Sequence, residues 1–224
     1  MARGDGKLTH ELDPHDQGPQ DQCGVFGVWA PGEEVAKLAY FGMYALQHRG
    51  QEAAGLAVSD GSSILVYKDL GLVSQVFDEA TLATLKGHIA LGHTRYSTTG
   101  SSTWENAQPV FRTTATGTGI ALAHNGNLVN TAELHEAASG NGGRDRGSLA
   151  ASTDSDLMTE LLAAHPDVSV EEAATRVLPT IKGAFSLVFM DEHTLYAARD
   201  PQGVRPLSLG RLDRGWVVAS ESAA

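Results

Sequence analysis

The chain has 224 residues, 42% of them apolar, with 27 acidic against 16 basic side chains and a formal net charge of −11. That length suits one large domain or two small ones, since domains commonly run about 100–200 residues. An acidic surface repels phosphate backbones and argues against nucleic-acid binding, while a single cysteine excludes an internal disulfide or a multi-cysteine metal cage.

Residues 1–22 are polar and rich in Gly, Pro, Asp, Gln and His, so they are expected to be a disordered leader. They lack the apolar stretch of a secretory signal. No run approaches the roughly 18 apolar residues of a membrane span, so no membrane partner and a cytoplasmic location are expected. The pattern changes at Cys23. Val25, Phe26, Val28 and Trp29 read as a buried strand, and 33–47 as a helix with Val35, Leu38, Ala39, Met43 and Leu46 on one face. GLAVSD and SSILVYKD read as two strands joined by a turn at 60–62. A weaker helix is expected over 78–86. HIALGHTRYS then reads as a strand running into a polar loop, and GIALAHNGNL (119–128) as a strand ending in a turn.

Asn130 with Glu133 reads as the cap of a short helix, and SGNGGRDRGS (139–148) as a flexible insert. TDSDLMTELLAAH opens a helix with acidic residues in its first turn, and Ser169 with Glu172 caps another. Four strand-like runs close the chain: GAFSLVFMD, HTLYAARD, RPLSLGRL and GWVVAS. Clustered strands and clustered helices, rather than strict alternation, indicate the α+β class.

Cys23 on its own reads as a small buried hydrophobe. As a nucleophile it would need a base, and no histidine follows it closely. Cleavage of the Gln22–Cys23 bond would supply one, because a free α-amine titrates near about 8. The leader would then be a propeptide. Arg95, at a strand end, reads as a surface ion-pair partner or as a bidentate carboxylate clamp. Asn125–Gly126 is first a turn signal, but an Asn amide followed by a glycine N–H can also form an oxyanion hole. Asp154 and Asp156 favour a helix N-terminus, or one of them binds an ammonium. QHRGQEAAG (47–55), with Arg49, reads as a solvated helix exit, and RDPQGVRPL (199–207) as a tight turn. The histidines show no metal-binding spacing, so no metal site is expected. Together the set is a thiol, an amine base, an oxyanion cradle, an arginine for a carboxylate and an aspartate for an ammonium. That chemistry is hydrolysis of the side-chain amide of a free amino acid, and glutamine fits.

CGVFGV, QHRGQEAAG, GHTRYSTTGSS, AHNGNL, TDSD and RDPQGVRPL, in that order, resemble the glutaminase domain of the amidophosphoribosyltransferases, within the N-terminal-nucleophile (class II) glutamine amidotransferases. The resemblance covers Cys23 to the end. It implies a four-layer αββα sandwich of two antiparallel sheets over 23–224, preceded by the propeptide 1–22. A phosphoribosyltransferase domain would follow residue 224. It implies Cys23 as nucleophile, Asn125 and Gly126 as the oxyanion hole, Arg95 on the glutamine carboxylate and Asp154 on its ammonium. Arg49 and Tyr96 would lie in segments that order when the synthase site fills. The function implied is ammonia supply for phosphoribosylamine synthesis from phosphoribosyl pyrophosphate, the first step of purine biosynthesis. A full-length homo-oligomer is expected, with magnesium and, in propeptide-bearing members, a 4Fe–4S cluster; no cofactor site is visible in this chain. The alternatives are another class II amidotransferase with a different ammonia acceptor, or an unprocessed, inactive precursor or binding module.

Overall fold

The computed structural model describes residues 22–96, 103–140 and 153–224, with side chains 137–140 set aside. The expected leader, all but Gln22, and most of the 139–148 insert lie outside the described residues. Two antiparallel sheets carry the architecture. The first is built from β1 (Gly24–Trp29), β2 (Ala53–Ser59), β3 (Ile64–Leu70), β4 (Ile89–Arg95), β9 (Ser208–Leu212) and β10 (Gly215–Ala219). Their order is β3-β2-β4-β1-β10-β9. The second holds β5 (Val110–Thr113), β6 (Gly119–Leu128), β7 (Gly183–Met190) and β8 (Leu195–Arg199), in that order.

Helices α1 (Val35–Ala45), α2 (Val73–Val76) and α3 (Glu79–Thr84) cover the outer face of the six-stranded sheet. Phe26, Val28, Leu56 and Val58 meet Val35, Ala39, Met43, Val73 and Leu82 there. Helices α4 (Thr131–Gly140), α5 (Asp154–Ala163) and α6 (Val170–Val177) cover the other sheet, where Ile120, Leu122, Leu187 and Phe189 pack on Leu134, Leu157, Leu161 and Val177. Between the sheets, Val25, Ala57, Ile89, Leu91, Ala121, Ala123, Val188 and Met190 form a third apolar layer. Period-2 alternation along each strand thus serves two cores at once. The order of layers is αββα, as expected.

The caps follow the sequence reading in part. Thr153 accepts from Asp156 N at the start of α5, and Ser169 from Glu172 N at the start of α6. Asn130 stands directly before α4 and pairs with Glu133, its Nδ2 donating to Glu133 Oε2 at 3.4 Å, and it also reaches further. Its Oδ1 accepts from Lys182 N and its Nδ2 donates to Thr180 O, tying α4 to the approach to β7.

The expected turn at Asn125–Gly126 is not there. β6 runs unbroken to Leu128 and pairs with β7 as far as Gly183. Local Asn-Gly preference gives way to eight consecutive cross-strand partners. Gly126 sits at φ +147°, and a Cβ there would lie 2.0 Å from the Ala184 carbonyl oxygen. Two short elements, α2 and β5, carry no periodicity that a sequence window resolves.

Leu91 is fully buried in the layer between the sheets. Leu91→Ala is expected to lower unfolding free energy by about 3 kcal/mol, read as a shift of the urea midpoint with unchanged slope.

Candidate functional site

The β1–β4 register pairs Gly24 with Thr94, so Cys23, one residue earlier, stands across from Arg95. By alternation Cys23 lies in line with Val25, Arg95 with Leu91 and His93, and Asn125 with Ala121 and Ala123. Val25, Leu91, Ala121 and Ala123 all face the layer between the sheets. Three of the expected site residues therefore stand on inward-facing positions of two facing sheets.

The cysteine is half-buried, and its thiol is seated on one backbone unit. Sγ donates to Tyr96 O at 3.3 Å and accepts from Tyr96 N at 3.5 Å. Burial pushes the thiol pKa up. The Tyr96 backbone contact and the Arg95 charge pull it down without overcoming burial, and Glu52 adds to the rise. Gly24 permits the close approach, since a Cβ there would lie 2.6 Å from Thr94 Oγ1.

Arg49 does not sit in a solvated helix exit. It ends a 3-10 turn, Gln47–Arg49, and donates from Nε to Cys23 O at 3.2 Å. Its Nη1 donates to Glu221, which also contacts His48 Nε2 at 3.1 Å. The Arg49 bond holds the Glu221 carboxyl below the usual range, against a small burial penalty. Ser220 adds a second clamp, its Oγ accepting from Val25 N at 2.9 Å and its N–H donating to Val25 O at 2.9 Å.

Arg95 is buried, at 5% exposure, which rules out the surface ion-pair reading. Its guanidinium donates to Asn106 O and lies 3.9 Å from Glu52 Oε2. The segment carrying Asn106 is fastened to β3. Trp104 Nε1 donates to Lys68 O at 3.0 Å, and Lys68 Nζ donates to Ala107 O at 2.5 Å.

On the other sheet Asn125 is 2% exposed, and its Nδ2 has no hydrogen-bond partner among the described residues. A buried, unspent amide donor is costly unless something else uses it. Asp154 opens α5, and its Oδ2 accepts from Leu128 N at 2.8 Å, fixing the helix start to the end of β6. Asp156 pairs with Arg112 at 2.8 Å instead. The RDPQGVRPL turn is organised by Asp200. Burial opposes its ionisation, but N–H groups of Val204, Phe185, Arg205 and Gln202 outweigh that and hold its pKa low.

The structure thus brings Cys23, Arg49 and Tyr96 into direct contact, with Arg95 alongside. Asn125, Gly126 and Asp154 belong to the facing sheet and its helix. Two bonds that the sequence reading left without a role meet at His124: His93 Nε2 reaches its carbonyl oxygen at 3.1 Å and joins the two sheets, and its N–H donates to Gln108 Oε1 at 2.7 Å on the β5 side of its own sheet. His93 and His124 are conspicuous in HTR and HNG, but nothing in either triplet shows that the two meet. Glu221 gives no local signal at all.

With this geometry in place, the relatives can be set beside it. A family model described as a glutamine amidotransferase domain matches residues 93–224, more than half of the chain. The chain belongs to that family. Among curated relatives, the amidophosphoribosyltransferase of Mycobacterium tuberculosis is 68% identical over 92% of this chain and 40% of its own length. That of Bacillus subtilis is 37% identical over 93% of this chain and 43% of its own. The solved glutamine phosphoribosylpyrophosphate amidotransferase of B. subtilis, complexed with ADP and GMP, superposes with a TM-score of 0.78 at 37% identity, covering 89% of this chain and 42% of that one. A structure described as the allosteric regulatory enzyme of purine biosynthesis superposes at 0.80, with 38% identity and the same coverage. The chain spans about two fifths of the length of these relatives.

Two outcomes are expected. Burial drives the pKa of both His93 and His124 from 6.5 to about 3. An unfolded chain protonates them near 6.5 and the folded chain does not. Their contribution to stability is therefore full above 6.5 and is lost as pH falls towards 3, at up to about 1.4 kcal/mol per pH unit for each. Their ring signals in an NMR titration from pH 7.5 to 4.5 should stay still; a midpoint near 6.5 for either contradicts the burial. Gly126→Ala, blocked by the Ala184 carbonyl and by its positive φ, should cost about 3 kcal/mol of stability in chemical denaturation.

Proposed function

We propose that this chain is the glutaminase part of an amidophosphoribosyltransferase, with Cys23 as its nucleophile. The observation that carries the reading is the seat of Cys23. Its thiol lies on the Tyr96 backbone beside Arg95, and its carbonyl is pinned by Arg49. A structural cysteine has no need of two cationic neighbours.

The proposed chemistry begins with removal of residues 1–22, which frees the α-amine of Cys23. That amine takes the thiol proton directly or through a water. Sγ attacks the side-chain amide carbon of glutamine, and the oxyanion is met by Asn125 Nδ2 and the Gly126 N–H. The amine returns the proton to the leaving nitrogen, and ammonia departs from the thioester. Water then adds to the thioester, releasing glutamate and restoring the thiol. Arg95 receives the substrate carboxylate in exchange for Asn106 O, and Asp154 receives the ammonium. Arg49 and Tyr96, which touch Cys23, belong in this reading to segments that order when the synthase site is filled.

In the full-length enzyme the ammonia is proposed to pass to phosphoribosyl pyrophosphate, giving phosphoribosylamine for purine synthesis in the cytoplasm of the cell, within a homo-oligomer. The magnesium and 4Fe–4S cluster implied by the resemblance find no ligand set here. Among the described residues no three His, Cys, Asp or Glu side chains are grouped to hold a metal, and the chain has one cysteine. Both groups are proposed for the full-length enzyme on the resemblance alone, and no step above is routed through them.

The leader of 22 residues ahead of Cys23 favours a second state, an inactive precursor. Intact mass separates the two. Chain beginning at Cys23 should release glutamate from glutamine, and Cys23→Ala in that processed form should lose more than about 10³-fold in rate. Retained activity in processed Cys23→Ala would sink the assignment.

A further inference from the structure

Among the buried polar groups that the mechanism leaves unused, His93 stands between the two sheets. His93 is fully buried in the middle of β4, and it bridges the sheets. Its Nε2 lies 3.1 Å from the backbone carbonyl oxygen of His124 on β6. A carbonyl only accepts, so the ring carries its proton on Nε2, and Nδ1 is left as an acceptor with no partner among the described residues. The bond leaves β4 two residues before Arg95 and reaches β6 at the residue before Asn125.

Most of the layer around it is apolar and non-directional. Val25, Ala57, Leu91, Ala121, Ala123 and Val188 fill space but do not fix one sheet's slide over the other to a fraction of an ångström. A directional bond from a stiff ring does. The N–H of the same residue, His124, donates to Gln108 Oε1 at 2.7 Å. The His124 side chain points the other way, Nδ1 lying 3.4 Å from Ser155 Oγ on α5. The residue that leads into Asn125 is therefore held through both its N–H and its C=O, the second hold coming from the sheet that carries Cys23.

We propose that His93 is a positioning residue: its Nε2–H bond to the His124 carbonyl sets the place of Asn125 and Gly126 relative to Cys23 and Arg95. This rests on the glutaminase reading above. Its action is on the transition state, because the oxyanion donors matter when charge develops on the amide oxygen, whereas Arg95 and Asp154 hold the ground-state ends of the substrate.

The test uses the side chain's own topology. Gln carries an amide nitrogen at the position of His Nε2, and Asn carries one at the position of Nδ1. In processed chain, His93→Asn should lower glutaminase kcat by about 10- to 100-fold with KM for glutamine within about twofold. His93→Gln should recover most of that loss. Equal losses in both variants, or a loss confined to KM, would overturn the proposal. A second readout needs no activity. In the unsubstituted chain, ¹⁵N spectra should show His93 as the Nε2–H tautomer, and an Nδ1–H tautomer refutes the bond. His93→Asn should move the Asn125 side-chain amide and Gly126 N–H signals while His93→Gln leaves them near their original places; unmoved signals in His93→Asn count against the proposal. If the unsubstituted processed chain hydrolyses no glutamine, the glutaminase reading falls, and the spectra still decide what His93 holds.

Discussion

The site rests on the antiparallel pairing of β1 with β4. The Cys23 thiol can sit on the Tyr96 backbone only because Gly24 through Trp29 align with Thr94 through Ile89. A slip of β1 by one residue against β4 would turn Val25, and Cys23 with it, from the inner layer to the outer while Leu91 and His93 stayed inside. The register is held on the far side as well. β10 pairs with the other edge of β1, placing Ser220 against Val25 and Glu221 within reach of Arg49. β1 is central in its sheet, so the residue ahead of it is anchored by neighbours on both flanks.

Around that pairing the sandwich divides its tasks. The six-stranded sheet and its loops hold the thiol and the two arginines. The four-stranded sheet and α5 hold a buried amide and a carboxylate. Small side chains at Ala57, Ala121 and Ala123 bring the two sheets close, and the few polar groups in the layer are used for alignment. Both buried histidines are kept neutral by their surroundings, so no charge is stranded there.

Much of this was legible in the sequence, for reasons that can be named. The alternation in β1, β4, β6 and β7 and the helical spacing in α1 follow from facing a core, and they are local. The six motifs that carried the family resemblance lie on β1, β4, β6, α5 and the two arginine-bearing segments. What failed was whatever depended on a distant partner. Asn125–Gly126 is locally a turn, yet pairing with β7, some sixty residues on, makes it strand. Arg95 looks like a surface charge until Asn106 and Glu52 enclose it. Arg49 looks like a helix exit because Glu221 stands 172 residues away. The short β5 and α2 lack the length to show a period.

The span of the β1–β10 junction has a consequence for when the centre comes into being. Val25 and Ser220 are 195 residues apart in the chain, and Arg49 and Glu221 nearly as far. Contacts of that separation close the longest loops in the protein, and loop-closure entropy makes them slow to form. A ribosome-bound chain that has made the first sheet's early strands still lacks the residues that steady the Cys23 carbonyl. The Cys23 thiol is therefore among the later groups to be steadied, and its surroundings are assembled only once Ser220 and Glu221 are in place.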